Sequence, residues 1–130
     1  MIVVDASAVV SAITDRSMPS LVQRLETERY LHAPYLIDVE VTQTLRRLAR
    51  SGRLAVDRAS DARVDYVNLR IRRYRHVPLL ARVWELRDAL TAYDAAYIAL
   101  AEILDAPLVT CDARLARASG HDADVQVFGP

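Results

Sequence analysis

Asp5, Glu40, Asp94 and Asp112 are the residues of this 130-residue chain whose positions suit them to chemistry. Asp5 ends the apolar run Ile2–Val4, and Asp112 ends the run "PLVTCD". Asp94 lies near the start of "LTAYDAAYIALAE", which otherwise reads as a helix built for burial. Glu40 sits in the first turns of a helical pattern running from Leu36 to Arg50. Taken singly, the aspartates are explained as caps: Asp5 and Asp112 each precede a helix, and Thr91-x-x-Asp94 fits a capping box. Glu40 alone reads as a solvated helix residue. Brought together, the four acids would be a different object. Two like charges about 4 Å apart repel by roughly 4 kcal/mol at an effective dielectric near 20, so such a cluster demands protons or a cation. Oxygen ligands without a histidine or cysteine cluster select a hard divalent ion, Mg²⁺ or Mn²⁺.

Whether the acids meet depends on the elements that carry them. Ile2–Val4 has the continuous β-branched pattern of a strand buried on both faces, and "ASAVVSAI" reads as the helix that follows. A second helix is expected over Leu21–Glu28, and "YLHAP" is a short strand closed by Pro34. Ile37, Val41, Leu45 and Leu48 repeat at helical spacing until "SGR" stops the helix. "VDRASDARVDYVNL" is a further amphipathic helix with Asp57 as its cap, "IRRYRHV" is extended, and "LLARVWELRDAL" is helical. "PLVTCD", "ARLARAS" and "VQVF" read as strand, short helix and last strand. Strands alternating with helices predict βαβ units around a parallel sheet, in one α/β domain spanning residues 1–130.

That topology has a consequence for the carboxylates. Asp5 and Asp112 follow strands, so both emerge at the carboxyl edge of the sheet, where ligands of open α/β sheets bind. A right-handed crossover runs its helix antiparallel to the strands, which brings Asp94 to the same edge. The helix of Glu40 begins just after the strand ending at Pro34, at that edge too. At 100° per residue Glu40 borders the apolar stripe and can face a pocket, whereas Asp38 points about 160° away, toward water.

Composition excludes several alternatives. The 17 basic residues are all arginine and balance 17 acids, so no global charge draws the chain to nucleic acid or anionic membrane. Without lysine, and with three glycines, a Walker phosphate loop, a phospho-aspartate receiver and a haloacid-dehalogenase-like site are disfavoured. Cys111 is alone, which rules out an intramolecular disulfide. The N-terminus lacks a basic signal-peptide region and no apolar stretch reaches the roughly 18 residues of a membrane span, so a cytoplasmic protein is expected.

The blocks "MIVVDASAVVSAI", "APYLIDVEVTQTLRRL", "TAYDAAYIALAE" and "PLVTCDARLARA" resemble, in order and spacing, the signature blocks of PIN-domain ribonucleases, specifically the VapC-type toxins of toxin–antitoxin pairs. The resemblance covers essentially the whole chain. It implies a three-layer α/β/α sandwich around a mostly parallel sheet of four or five strands, with Asp5, Glu40, Asp94 and Asp112 as acidic quartet. It also implies Mg²⁺- or Mn²⁺-dependent cleavage of RNA, often tRNA or rRNA, a small antitoxin as partner, and a homodimer. Asp38 departs from the pattern, being an acid where many relatives have an apolar or neutral residue. In this reading water activated by the metal attacks phosphorus in line, leaving 5′-phosphate and 3′-hydroxyl ends. A PIN-like module that grips RNA or protein without cutting is the alternative, and the intact acids favour the enzyme.

Other residues carry weaker signals. Thr110 shares a strand face with Asp112 and is a candidate supporting or substrate-contacting hydroxyl, as is Ser7; local backbone hydrogen bonds account for both equally well. "RIRRYRH" (Arg70–His76) and the series Arg46, Arg47, Arg50 and Arg53 are either phosphate contacts or solvated faces. His32, His76 and His121 have no ligand spacing. Cys111, Leu80 and Trp84 read as core, with a dimer face as the alternative for the last two.

Overall fold

The central strand has no polar residue until its end, and this sets the architecture. In a computed structural model describing residues 1–129, β1 (Ile2–Val4) is wholly buried. It lies between β2 (Leu31–Pro34) and β4 (Leu108–Thr110), with β3 (Ile71–Tyr74) and β5 (Val125–Val127) outside them, in the order β3-β2-β1-β4-β5. All four pairings are parallel. A parallel sheet needs cover on both faces, and seven helices provide it: α1 (Ala6–Thr14), α2 (Pro19–Glu26), α3 (Ile37–Arg50), α4 (Val56–Val67), α5 (Leu80–Glu85), α6 (Ala92–Leu104) and α7 (Ala113–Arg117). The result is the expected three-layer PIN-like sandwich.

Local sequence explains most boundaries. Pro19 opens α2 at a position where its missing N–H costs nothing. Helix α3 stops in a Schellman turn: Gly52 takes φ +75°, Arg53 N–H donates to the Leu48 carbonyl at 3.0 Å and Gly52 N–H to Ala49 at 3.2 Å. Residues Ala95–Ala101 of α6 are buried without a break, so this helix is core on every side. Each large apolar side chain hidden there, such as Ile98 or Leu100, contributes about 1.5–3 kcal/mol.

Four expectations need correction. Asp57 is not the cap of α4; Ala55 holds that position without a side-chain bond, and Asp57 lies in the first turn. The helix expected over "LLARVWELRDAL" is α-helical only at Leu80–Glu85, preceded by a 3₁₀ turn at Val77–Leu79. Such a short helix buries one stripe, Leu79, Val83 and Leu86, and turns the adjacent stripe outward. Leu80 is therefore 52% and Trp84 67% exposed, with the Arg87 guanidinium over the indole at 4.6 Å. Cys111 lies just past β4 and is only partly buried.

Helices α5 and α6 are tied by charge. Arg82 donates to both oxygens of Glu102, at 2.8 and 3.0 Å, and Asp122 N–H adds a bond of 2.8 Å. The guanidinium holds the Glu102 carboxyl below its ordinary value of 4.5. A carboxylate depressed in the folded state stabilises above the unfolded value and loses that contribution as pH falls through the folded one. Glu102→Gln should therefore unfold more easily than the parent at pH 7, by about 1.5–3 kcal/mol, with the gap closing below roughly pH 4. Urea titrations at pH 7 and pH 3 check this, and an equal gap at both values would contradict the assignment.

Candidate functional site

Four helices start at the carboxyl edge of the sheet. The caps or first turns of α1, α3, α6 and α7 each deliver an acid there. Asp5 caps α1, its Oδ1 accepting from Ala8 N–H at 3.0 Å. Thr91 caps α6, its hydroxyl accepting from Asp94 N–H at 3.2 Å. Asp112 caps α7, accepting from Arg114 N–H at 3.0 Å. The capping explanation is therefore correct for Asp5 and Asp112, and Thr91 is the cap beside Asp94. It does not compete with convergence: Asp5, Glu40, Asp94 and Asp112 all line one cavity of about 450 Å³. None of the three histidines lines it. A larger cavity of about 720 Å³ reaches Pro107, just before β4, and so lies toward the opposite edge; Arg82 and Glu102 in its wall already satisfy each other.

Asp5 forms the floor. It is 7% exposed, and burial raises its pKa against the opposing pull of its donors. Thr110 donates to Oδ2 at 2.6 Å and Ser7 to Oδ1 at 2.7 Å. The same hydroxyls accept from the loop after β4: Asp112 N–H reaches Thr110 at 2.9 Å and Cys111 N–H reaches Ser7 at 3.0 Å. Each hydroxyl has one proton and gives it to Asp5. Ser7 and Thr110 thus join β1, α1 and the Asp112 loop through one buried carboxylate.

Glu40 faces the cavity from α3, and its Oε1 accepts from the Tyr97 hydroxyl at 2.6 Å. Tyr97 is 2% exposed and sits one turn after Asp94 on the same face of α6. Sequence reading missed it inside an apolar run. The available signal was a phenol among alanines, since a buried tyrosine hydroxyl needs a partner. Burial raises the pKa of Glu40, assisted by the charges of Asp94 and Asp5. Burial raises that of Asp94 too, with the Arg114 charge opposing.

Asp112 differs from the other three. Arg114 Nε donates to its two oxygens at 3.0 and 3.2 Å, and this pairing lowers the Asp112 pKa. As placed, no three acidic, histidine or cysteine groups among the described residues converge closely enough to enclose one ion. The donor set itself, carboxylate oxygen alone, fits a hard divalent cation.

Asp38 is resolved by its contacts. Its carboxylate takes bonds from Arg73 Nε at 2.9 and 3.0 Å and from the Tyr66 hydroxyl at 2.6 Å, so it joins α3 to β3 and α4 rather than pointing freely into water. Arg73 and His76 of the "RIRRYRH" stretch are also used internally, His76 Nε2 accepting from Leu36 N–H at 3.0 Å. Of the α3 arginines, Arg47 lines the acidic cavity, with Gln43 and Thr44 beside it.

Residues 2–120 match the PIN domain family model. The VapC ribonuclease Mb0985 of Mycobacterium bovis is 45% identical over 115 residues, 88% of each chain. The crystal structure of PAE2754 from Pyrobaculum aerophilum superposes with a TM-score of 0.71 at 26% identity, covering 95% of this chain and 82% of that one. VapBC2 from Rickettsia felis, in a structure with a DNA fragment from its promoter, gives a TM-score of 0.70 at 15% identity over 99% of this chain and 100% of that one. No helix among the described residues is long and apolar enough to cross a membrane. A parallel five-stranded sheet, four acids in one cavity at its carboxyl edge and this sequence similarity together make the chain a member of the PIN domain family, related to the VapC ribonucleases.

Proposed function

We propose that this chain is a toxin endoribonuclease that hydrolyses RNA phosphodiester bonds, leaving 5′-phosphate and 3′-hydroxyl ends. One observation carries the reading: Asp5, Glu40, Asp94 and Asp112, brought from across the sequence, line a single open cavity. The names of its relatives support RNA as the substrate, with tRNA or rRNA the expected class and a small antitoxin as partner of a homodimer. In this reading Asp5, Asp94, Glu40 and Asp112 hold Mg²⁺ or Mn²⁺. Such an ion, when bound, lowers the pKa of water and neutralises phosphate charge.

The residues of the chain supply the rest. Ser7 and Thr110 hold Asp5 immobile by donating to both of its oxygens, and those bonds oppose the burial that favours its protonated form. Tyr97 fixes the direction of Glu40. Asp112 joins the set once Arg114 releases it, and the freed guanidinium is then available to a phosphate oxygen. Arg47, which lines the cavity, offers a second cation. Water attacks phosphorus in line, the P–O3′ bond breaks, and the leaving oxygen is protonated.

Purified protein should cleave RNA with Mg²⁺ or Mn²⁺ and fall silent in EDTA. Asp94→Asn should cut about 10³-fold more slowly, the equivalent of roughly 4 kcal/mol. Parental rates in a folded Asp94→Asn protein would refute the site, and mapping of RNA ends after induction in cells identifies the cut and its chemistry. Tyr97→Phe removes only a hydroxyl; it should fold normally, bind Mn²⁺ about 10–100-fold more weakly by calorimetry and lose activity in proportion. Unchanged Mn²⁺ affinity would show that Glu40 holds its orientation without Tyr97.

A further inference from the structure

A second cavity opens beside the acidic one and shares Asp94 with it. Its volume is about 340 Å³, at the lower end of the range for small-molecule sites. Its apolar lining comes from Ala89, Leu90, Leu115 and Ala118, and its cations are Arg114 and Arg117. The two arginines stand three apart on α7, so both project from one helix face. Arg117 is exposed and makes no ion pair among the described residues, while Arg114 pairs only with Asp112. Nothing in the chemistry above uses Arg117 or this apolar surface.

We propose that this cavity is a nucleotide subsite: it takes the base next to the scissile bond on Ala89 and Leu90, and Arg117 holds that nucleotide's phosphate. The inference rests on the ribonuclease reading of the acidic cavity. Two features select RNA as occupant. Asp94 lines both this cavity and the acid site, so a strand whose phosphodiester lies among the acids can place an adjacent nucleotide at this wall. The lining also alternates as a single strand does, apolar surface for an unstacked base and guanidinium for a phosphate. Such a pocket confers a base preference on one side of the cut, which phosphate contacts alone cannot do.

The test uses an RNA oligonucleotide with randomised positions, its cut ends sequenced, and two variants at exposed positions where the fold is not at stake. The parent should show a nucleotide bias at one position beside the cut. Ala89→Phe fills the cavity and should flatten that bias, raising KM severalfold with kcat little changed. Arg117→Gln should keep the bias but weaken RNA binding in EDTA, lowering the slope of log affinity against log salt by about 0.7. A flat profile in the parent, a bias that survives Ala89→Phe, or an unchanged salt slope in Arg117→Gln overturns the subsite. Failure of the parent to cut any RNA is a distinct result: it overturns the ribonuclease reading, and the subsite with it.

Discussion

The buried carboxylate of Asp5 is the constraint around which the molecule is arranged. It terminates the central strand, caps the first helix and accepts hydroxyl protons from both α1 and β4. An ionised group taken out of water costs several kcal/mol unless it is hydrogen-bonded, and three donors offset part of that cost at one point. The two hydroxyl donors are in turn anchored by backbone N–H groups of Cys111 and Asp112. One carboxylate therefore sets the relation of β1, α1, β4 and the α7 cap, which is the frame of the cavity.

The other acids are held by different means, and the differences are chemical. Glu40 is fixed by a phenol from across the cavity, Asp94 by its place in the first turn of a helix that is core on every side, and Asp112 by an exposed arginine. Asp5, Glu40 and Asp94 are shifted toward protonation by burial, Asp112 away from it by the Arg114 guanidinium. Helix N-termini face this edge, and their partial positive charge favours anions there. The arrangement concentrates negative charge at a cost in stability, a compromise typical of sites kept for function.

In the proposed reading, a net charge of zero leaves RNA affinity to local placement. The arginines of β3 have partners within the chain, Arg73 paired with Asp38 and the exposed Arg72 lying over the Tyr30 ring at 4.4 Å. The cations at the cavities are Arg47, Arg114 and Arg117 instead. Three charges near the acids give a modest electrostatic hold, so shape and base contacts carry more of the recognition in the proposed reading.

Sequence by itself determined the class of fold, the order of its elements and the edge at which the acids gather. Those follow from local rules: a β-branched run, helical spacing, a glycine stop, and the handedness of crossovers, which places Asp5, Asp94 and Asp112 together without any coordinates. Tertiary structure decided what depends on contacts between distant residues. It showed Tyr97 on Glu40, 57 positions away, the hydroxyls of Ser7 and Thr110 on one carboxylate, Asp38 consumed by Arg73 and Tyr66, and Arg114 closed over Asp112. It also turned Trp84 and Leu80 outward, because apolar periodicity over a six-residue helix cannot say which stripe meets the core. Periodicity reports that a face is apolar; only packing decides which partner covers it, and for side chains that share a proton or an ion the partner is the function.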